Sequence, residues 1–318
     1  MRIGFFGDSH FETRRPSSRR DEDYFGTLMD KLAQVFQICQ DKECSCIIQV
    51  GDFFNSPNVS LNAIIELIFF LYNQETPLYC IYGQHDIFGH SESTLKRSPI
   101  RVLEVATAIR KILDSKGTVL SVGSGTEAVL YGASFGQSIP DPDRAIVLPS
   151  SRNILVIHDM IGDRPLFPGQ DLKDPINFLR EHSEYSIVFC GDYHYRFLQR
   201  WKDRVIINPG ALVRKTLSKW DRELKPCVGI IDTTTLEVEF IDLQVQPTVE
   251  VFDLSLLDKK EEGISGLSNF IERLESEGEL LISWEEILRM VFVKESTPET
   301  VQKIIYNSIS EVRHVEFG

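Results

Sequence analysis

Apolar positions along the chain fall into two kinds of pattern. Short runs in which nearly every residue is apolar recur at residues 2–6, 46–50, 78–82, 153–157 and 186–190, each closed by a glycine or a histidine. Runs of that length without alternation predict strands buried on both faces. Between them apolar residues return every three or four positions over residues 24–40, 61–73, 100–116 and 175–181, which predicts helices. Strand and helix in alternation predict an α/β layer structure. From residue 196 onward the helical spacing gives way to adjoining β-type runs at 197–201, 205–207, 228–231 and 238–243. The pattern breaks at "QVQPTVE", residues 244–250, where a proline interrupts it. This predicts a main domain over residues 1–244 and a small α/β domain over 245–318. In the latter the spacing predicts a helix at 264–274, a strand at 289–294, a helix at 298–309 and a strand at 312–317.

Composition narrows this picture. With 318 residues and 42% hydrophobic content the chain can bury a substantial core. Its longest apolar run, residues 64–72, contains Glu66 and falls well short of the ~20 residues that span a bilayer. The N-terminus opens on a strand-like segment, which predicts a soluble, cytoplasmic protein without a signal peptide. Six cysteines lie mostly in apolar runs with no CxxC pair, as expected of structural thiols in a reducing compartment. Cys44 and Cys46 lack the second pair that would complete a zinc site. The net charge of −13 argues against a surface that coats DNA generally. Residues 245–318 carry −8 of it, so local basic clusters in the rest can still hold phosphates.

The candidate chemistry lies at the strand ends. Asp8 and His10 follow the first predicted strand ("GDSH"), Asp52 the second ("VGDFF"), and Gln84, His85 and Asp86 the third ("YGQHD"). His158 follows the fourth ("VIHD"), and Asp192 with His194 the fifth ("GDYH"). In an open α/β sheet the carboxyl ends of parallel strands share one edge, where ligand crevices form. Residues spread over most of the chain therefore converge. Carboxylate, amide and imidazole without cysteine suit Mn²⁺, Fe²⁺, Zn²⁺ or Mg²⁺, and the oxygen-rich set favours the harder ions. Seven ligands exceed the needs of one ion and suit two, which together can activate a water and clamp the oxygens of a phosphoryl group.

In this order the motifs resemble those of the calcineurin-like metallophosphoesterases. The segment "NPGALVR" at 208–214 is similar to one that follows the last motif in many members. The resemblance covers about residues 1–243. It implies a four-layer α-β-β-α sandwich, here with a small C-terminal α/β capping domain, and a two-metal phosphoesterase site. It also implies that Asp8, His10, Asp52 and His194 hold one ion, and that Asp52, as the bridge, with Gln84, His158 and Asp192 holds the other. His85 is implied as the catalytic histidine that approaches the scissile phosphate and aids the leaving group, with Asp86 orienting it. Gln84 and Asp192 depart from the family pattern, which has asparagine and histidine there. Both fall on the second ion, which they either retune toward Mn²⁺ or Mg²⁺ or weaken.

Within the superfamily the short Asp-x-His loop and the small domain after the catalytic one look most like SbcD-type DNA double-strand-break nucleases, bacterial and phage. That resemblance implies a DNA nuclease in repair, recombination or end processing. It also implies Mn²⁺ as cofactor and an SbcC-type coiled-coil ATPase as partner; a homodimer is a further expectation. Independently of it, the loop "FETRRPSSRR" begins directly after His10, so Arg14, Arg15, Arg19 and Arg20 are expected at the rim of the cleft. Arg214, Lys215 and Lys219 are expected to extend that nucleic-acid surface, since arginine forks fix phosphates without reading sequence. Two other readings stay open: a phosphoesterase for cyclic nucleotides or phosphomonoesters, and a scaffold on this fold with weakened catalysis.

Overall fold

The unbroken run from Ile3 to Phe6 leaves β1 (Arg2–Phe6) no solvent face beyond its first residue, and the strand lies at the centre of a six-stranded sheet. The structure, a computed structural model, describes residues 1–122, 125–142, 151–165, 172–256, 292, 298 and 300–302. Beside β1 run β2 (Cys46–Gln49), β3 (Leu78–Cys80) and β4 (Lys111–Ile112), all parallel to it. On its other side β11 (Cys227–Asp232) and β12 (Val238–Asp242) complete the sheet antiparallel to their neighbours. The second sheet has the order β5 (Thr118–Val122), β6 (Gly125–Ala133), β7 (Arg152–His158), β8 (Ile187–Gly191), β10 (Arg204–Asn208) and β9 (Phe197–Trp201). Its four inner strands are parallel, and antiparallel β5 and β9 form the edges.

Because side chains alternate along a strand, these runs serve two cores at once. Ile3, Phe5, Ile48, Val50 and Ile81 point between the sheets and meet Leu130, Ile154, Val156, Phe189 and Ile207. The rings of Phe5 and Phe189 touch there, centroids 4.8 Å apart. Phe6, Ile47 and Cys80 point the other way, into α1 (Tyr24–Asp41), α2 (Leu61–Tyr72) and α3 (Pro99–Val105). Behind the second sheet Tyr131, Leu155 and Val188 pack on Phe178 and Leu179 of α4 (Pro175–Glu181). The expected four-layer α-β-β-α sandwich is therefore the observed fold. Helix α1 starts where the Asp23 carboxylate caps the Gly26 N–H, and α2 where the Ser60 hydroxyl caps Ala63.

Two expected elements differ. The helix expected at 100–116 ends at Val105, where Thr107 takes φ 58° and the Ala108 N–H turns back to the Leu103 carbonyl. That turn frees Lys111–Ile112 to add a strand beside β3 and bury Ile109, Ile112 and Leu113, which outweighs a longer helix. Residue 292, expected in a strand, is helical, while 300–302 are helical as expected; the other elements expected beyond 256 lie outside the described residues. The first compact unit runs Met1–Leu254 and the second Ser255–Gly318. Residues 245–254, expected beyond the boundary, pack into the first unit, with Val251 and Phe252 buried.

Helix α2 keeps an apolar face in solvent. Leu61, Ile65, Phe69 and Tyr72 are 54–74% exposed at helical spacing, and Val102 and Val105 of α3 are exposed as well. No helix among the described residues is long and apolar enough to cross a membrane, and all six cysteines are free and buried.

Candidate metal centre

The parallel strands β1, β2 and β3 of one sheet and β7 and β8 of the other end toward the same edge. The turns beyond them carry Asp8 and His10, Asp52, Gln84, and Asp192 and His194, while His158 is the last residue of β7 itself. These turns are tight enough to force unusual backbone. His10, Asp52 and Asp192 take φ of 46°, 51° and 73°, left-handed values that cost a non-glycine residue energy and cluster at functional sites. Glycines make the close approach feasible: a Cβ on Gly51 would stand 2.3 Å from His158 Nδ1, and one on Gly83 2.0 Å from Asp52 Oδ1. Backbone bonds tie the turns together, since the Ser9 and His10 N–H groups both donate to the Asp52 carbonyl.

The side chains converge as the strand-end reading expects. His194 Nε2 lies 3.3 Å from Asp8 Oδ2 and 3.3 Å from His10 Nε2. His158 Nε2 lies 3.5 Å from Asp52 Oδ2 and 3.9 Å from Asp192 Oδ1. Asp52 Oδ2 also faces His10 at 4.0 Å and His85 at 3.9 Å, which puts this carboxylate in the middle of the cluster. Asp8, His10 and His194 can close on one cation, and Asp8, Asp52 and His158 on another. Gln84 Nε2 donates to Asp192 Oδ1 at 2.8 Å, so the two residues that depart from the family pattern are bonded to each other.

The chemistry of these atoms fits two divalent cations. Asp8 and Asp52 are 2% and 1% exposed, and every described ion pair that either makes is to a histidine. Buried carboxylates crowded this way need positive charge among them. His158 donates from Nδ1 to the Val50 carbonyl at 2.7 Å, which turns Nε2 toward the acids. That Nε2 and Gln84 Oε1 are buried without a hydrogen-bond partner. Electrostatics point the same way. Burial opposes charge on His158, yet Asp52, Asp8 and Asp192 outweigh it and raise its pKa to about 10. Burial likewise opposes ionisation of Asp52, and the surrounding histidines overcome it and hold its carboxyl well below the usual range. Burial together with the charge of His194 pushes His10 far down, toward the neutral form that ligates metals.

Asp86 does not orient His85. Its carboxylate turns inward and accepts from the N–H groups of Phe53, Phe54 and Gly83. Burial and then the charge of Asp52 raise it to about 7. The partner of His85 Nδ1 is the Asn55 carbonyl, 3.1 Å away. Asp86 thus shapes the floor of the site and His85 forms its rim. Asp86→Ala is expected to leave three buried N–H groups unpaired and cost about 3 kcal/mol or more, read as a lowered urea midpoint.

The basic residues divide. Arg19 is 3% exposed; it holds Asp21 with two nitrogens, donates to the Arg214 carbonyl and stacks on Tyr24 and Phe252. Arg214 is 5% exposed and donates to Gln246 and Thr248. Neither lies on the exposed rim where a nucleic-acid surface is expected. The aromatic and acidic partners of Arg19 lie within the chain and hold its fork internally, while Arg214 is buried on neutral partners alone. Arg20 pairs with Asp253 while staying exposed. Lys215 is half-buried between Glu12 and Asn55. Arg14, Arg15 and Lys219 are exposed. Glu12, Asn55 and Val50 were not legible as site residues, because two of them act through backbone carbonyls that leave no mark in the sequence.

The family model for the calcineurin-like phosphoesterase superfamily domain matches residues 1–235. None of the curated proteins matches the chain. Among solved structures the chain is similar to an archaeal phosphodiesterase, at 18% identity over 76% of this chain and 100% of that one, TM-score 0.39. It is also similar to TT1561 of Thermus thermophilus, at 12% identity over 76% and 99%, TM-score 0.49. A third is PH1004 of Pyrococcus horikoshii, at 13% identity over 83% and 93%, TM-score 0.41. With the family model spanning every strand of the sandwich but β12, and the acid–histidine cluster at its edge, the chain belongs to the calcineurin-like phosphoesterase superfamily.

Proposed function

We propose that the protein is a divalent-metal phosphodiesterase that cleaves DNA. Asp8, His10, Asp52 and His194 would hold one ion and Asp52, Gln84, His158 and Asp192 the other. Such a pair supplies Lewis-acid stabilisation of the phosphoryl oxygens and a nucleophilic water at neutral pH. The second set offers three oxygen ligands and one nitrogen, which favours Mn²⁺ or Mg²⁺ over zinc. His85 stands above both with its side chain 42% exposed, and the bond from Nδ1 to the Asn55 carbonyl leaves Nε2 to carry a proton to the departing oxygen.

The observation that carries a polymeric substrate is the open rim. His85 and His194 reach solvent, and exposed Arg14 and Arg15 come four and five residues after His10 on a loop anchored to the Asp52 turn by the Phe11–Phe54 bridge. Backbone phosphates flanking the scissile one would meet these guanidinium groups. The reading is tested with purified protein, Mn²⁺ and linear or hairpin DNA beside cyclic nucleotides and p-nitrophenyl phosphoesters. Cleavage of DNA that drops severalfold in an Arg14→Glu, Arg15→Glu double variant is expected. Faster turnover of the small esters, indifferent to that variant, would select the small-substrate reading, which the burial of Arg19 and Arg214 favours.

A homodimer is supported by the apolar stripe of α2 and α3. Leu61, Ile65, Phe69 and Tyr72 are exposed at helical spacing, an apolar face that a second copy would cover. Phe69→Glu is expected to shift the mass in solution from dimer to monomer by light scattering, leaving the metal content per chain unchanged.

A further inference from the structure

Three cations are buried together away from the metal ligands. Arg19, Lys31 and Arg214, only 3%, 6% and 5% exposed, line one cavity of about 110 Å³ between α1 and residues 244–251. Thr27, Asp30, Gln34, Val251 and the segment 244–246 form the rest of its wall, and Gln34 and Gln244 exchange two hydrogen bonds there. Each guanidinium nitrogen of Arg19 is engaged: Nε and Nη2 hold Asp21, and Nη1 donates to the Arg214 carbonyl. Arg214 has only neutral partners, the Gln246 carbonyl at 2.6 Å and the Thr248 hydroxyl at 3.3 Å. The Lys31 ammonium reaches only the Thr27 carbonyl one turn back on its own helix, at 3.5 Å.

Among the described residues neither Lys31 nor Arg214 joins an ion pair. Asp21 is taken by Arg19, Asp30 sits on the cavity wall in solvent, and Asp221 accepts from Thr216. Buried cations without a counter-charge are costly. Burial, with the charges of Arg19 and Arg214, accordingly pulls Lys31 down to about 8. A cavity of this size admits a few waters or one tetrahedral oxyanion. An ammonium and a guanidinium with free N–H groups supply the charge-assisted bonds such an anion needs.

We propose that this cavity binds a phosphoryl oxyanion, free or at the end of a nucleotide, between Lys31 and Arg214 with Arg19 fixed behind them. The site is separate from the phosphodiesterase reading and does not depend on it. A bound anion would tie α1 to the segment that leads out of the first unit. The carboxylate of Asp30 on the wall disfavours polyanions and leaves room for one phosphoryl group.

Inorganic phosphate titrated calorimetrically into the full-length protein, stripped of metal with chelator so that the strand-end ligands cannot take it up, tests the site. Saturable binding of one phosphate per chain is expected. It should weaken at least tenfold in Lys31→Met and persist in Lys31→Arg. Adenosine monophosphate serves as a second arm: tighter binding than phosphate assigns the phosphoryl group to a nucleotide, and equal binding to the free anion. Absence of saturable binding in the stripped wild type, or equal binding by a Lys31→Met variant that melts cooperatively, overturns the proposal. Should Lys31→Met not fold, Arg214→Lys gives the same reading, with unchanged phosphate affinity as the overturning result.

Discussion

Asp52→Asn is expected to lower phosphoester turnover by three orders of magnitude or more and to reduce the metal bound per chain. Asp52 Oδ2 faces His10, His85 and His158 within 4.0 Å, and its pKa is held low by those histidines. Its other oxygen accepts the His85 N–H at 2.9 Å and so fixes the turn that carries the rim histidine. The amide keeps the shape and one acceptor but removes the negative charge shared between two cation sites. Losing several kcal/mol of charge stabilisation corresponds to a rate loss of at least roughly 10³-fold. The variant should fold, because a neutral group at this depth costs less to bury. Elemental analysis of metal per chain beside the turnover number decides the matter: an Asn variant with full metal and wild-type rate would refute the central place of Asp52.

The second large effect is expected from His85→Ala. Here the metal content should remain at the wild-type level, because two of the three groups that can close on a cation, Asp8–His10–His194 and Asp8–Asp52–His158, do so without His85, while kcat falls by about 10²–10⁴-fold. The loss should depend on the leaving group. An ester whose leaving oxygen needs no proton, such as p-nitrophenyl, should suffer least, and an alkyl or sugar oxygen most. Equal losses for both would mean that His85 positions the phosphate without delivering a proton. Asn55→Ala makes the contrast, since His85 is held by the backbone carbonyl of Asn55 and should keep its orientation.

The sandwich and the ligand series were legible because both rest on strong local signals. Uninterrupted apolar runs such as 3–6 and 187–190 read as buried strands in an alternating chain, and an acid or histidine directly after each must lie at the shared edge. What failed depends on long-range packing. The apolar spacing of 100–116 fits a helix, but burial of Ile109 and Ile112 against the sheet sets the outcome. Arg19 and Arg214 sit in a basic, proline-broken loop and a post-turn segment that look solvated. Only the fold reveals Tyr24, Phe252 and Asp21 around one and the 244–251 segment around the other. Asp86 adjoins His85 in sequence, yet the short turn Gln84–Asp86 points the two side chains apart.

The cluster draws Asp8, Asp52 and Gln84 from one sheet and His158, Asp192 and His194 from the other. The two sheets face each other elsewhere mainly through apolar side chains, contacts that resist separation far better than sliding. Ions held across this seam would act as rivets, fixing the sliding register as well as doing chemistry. A substitution deep in the inter-sheet core, such as at Phe5 or Phe189, would then be felt at the edge as a change in the spacing of the ligands, with no ligand altered.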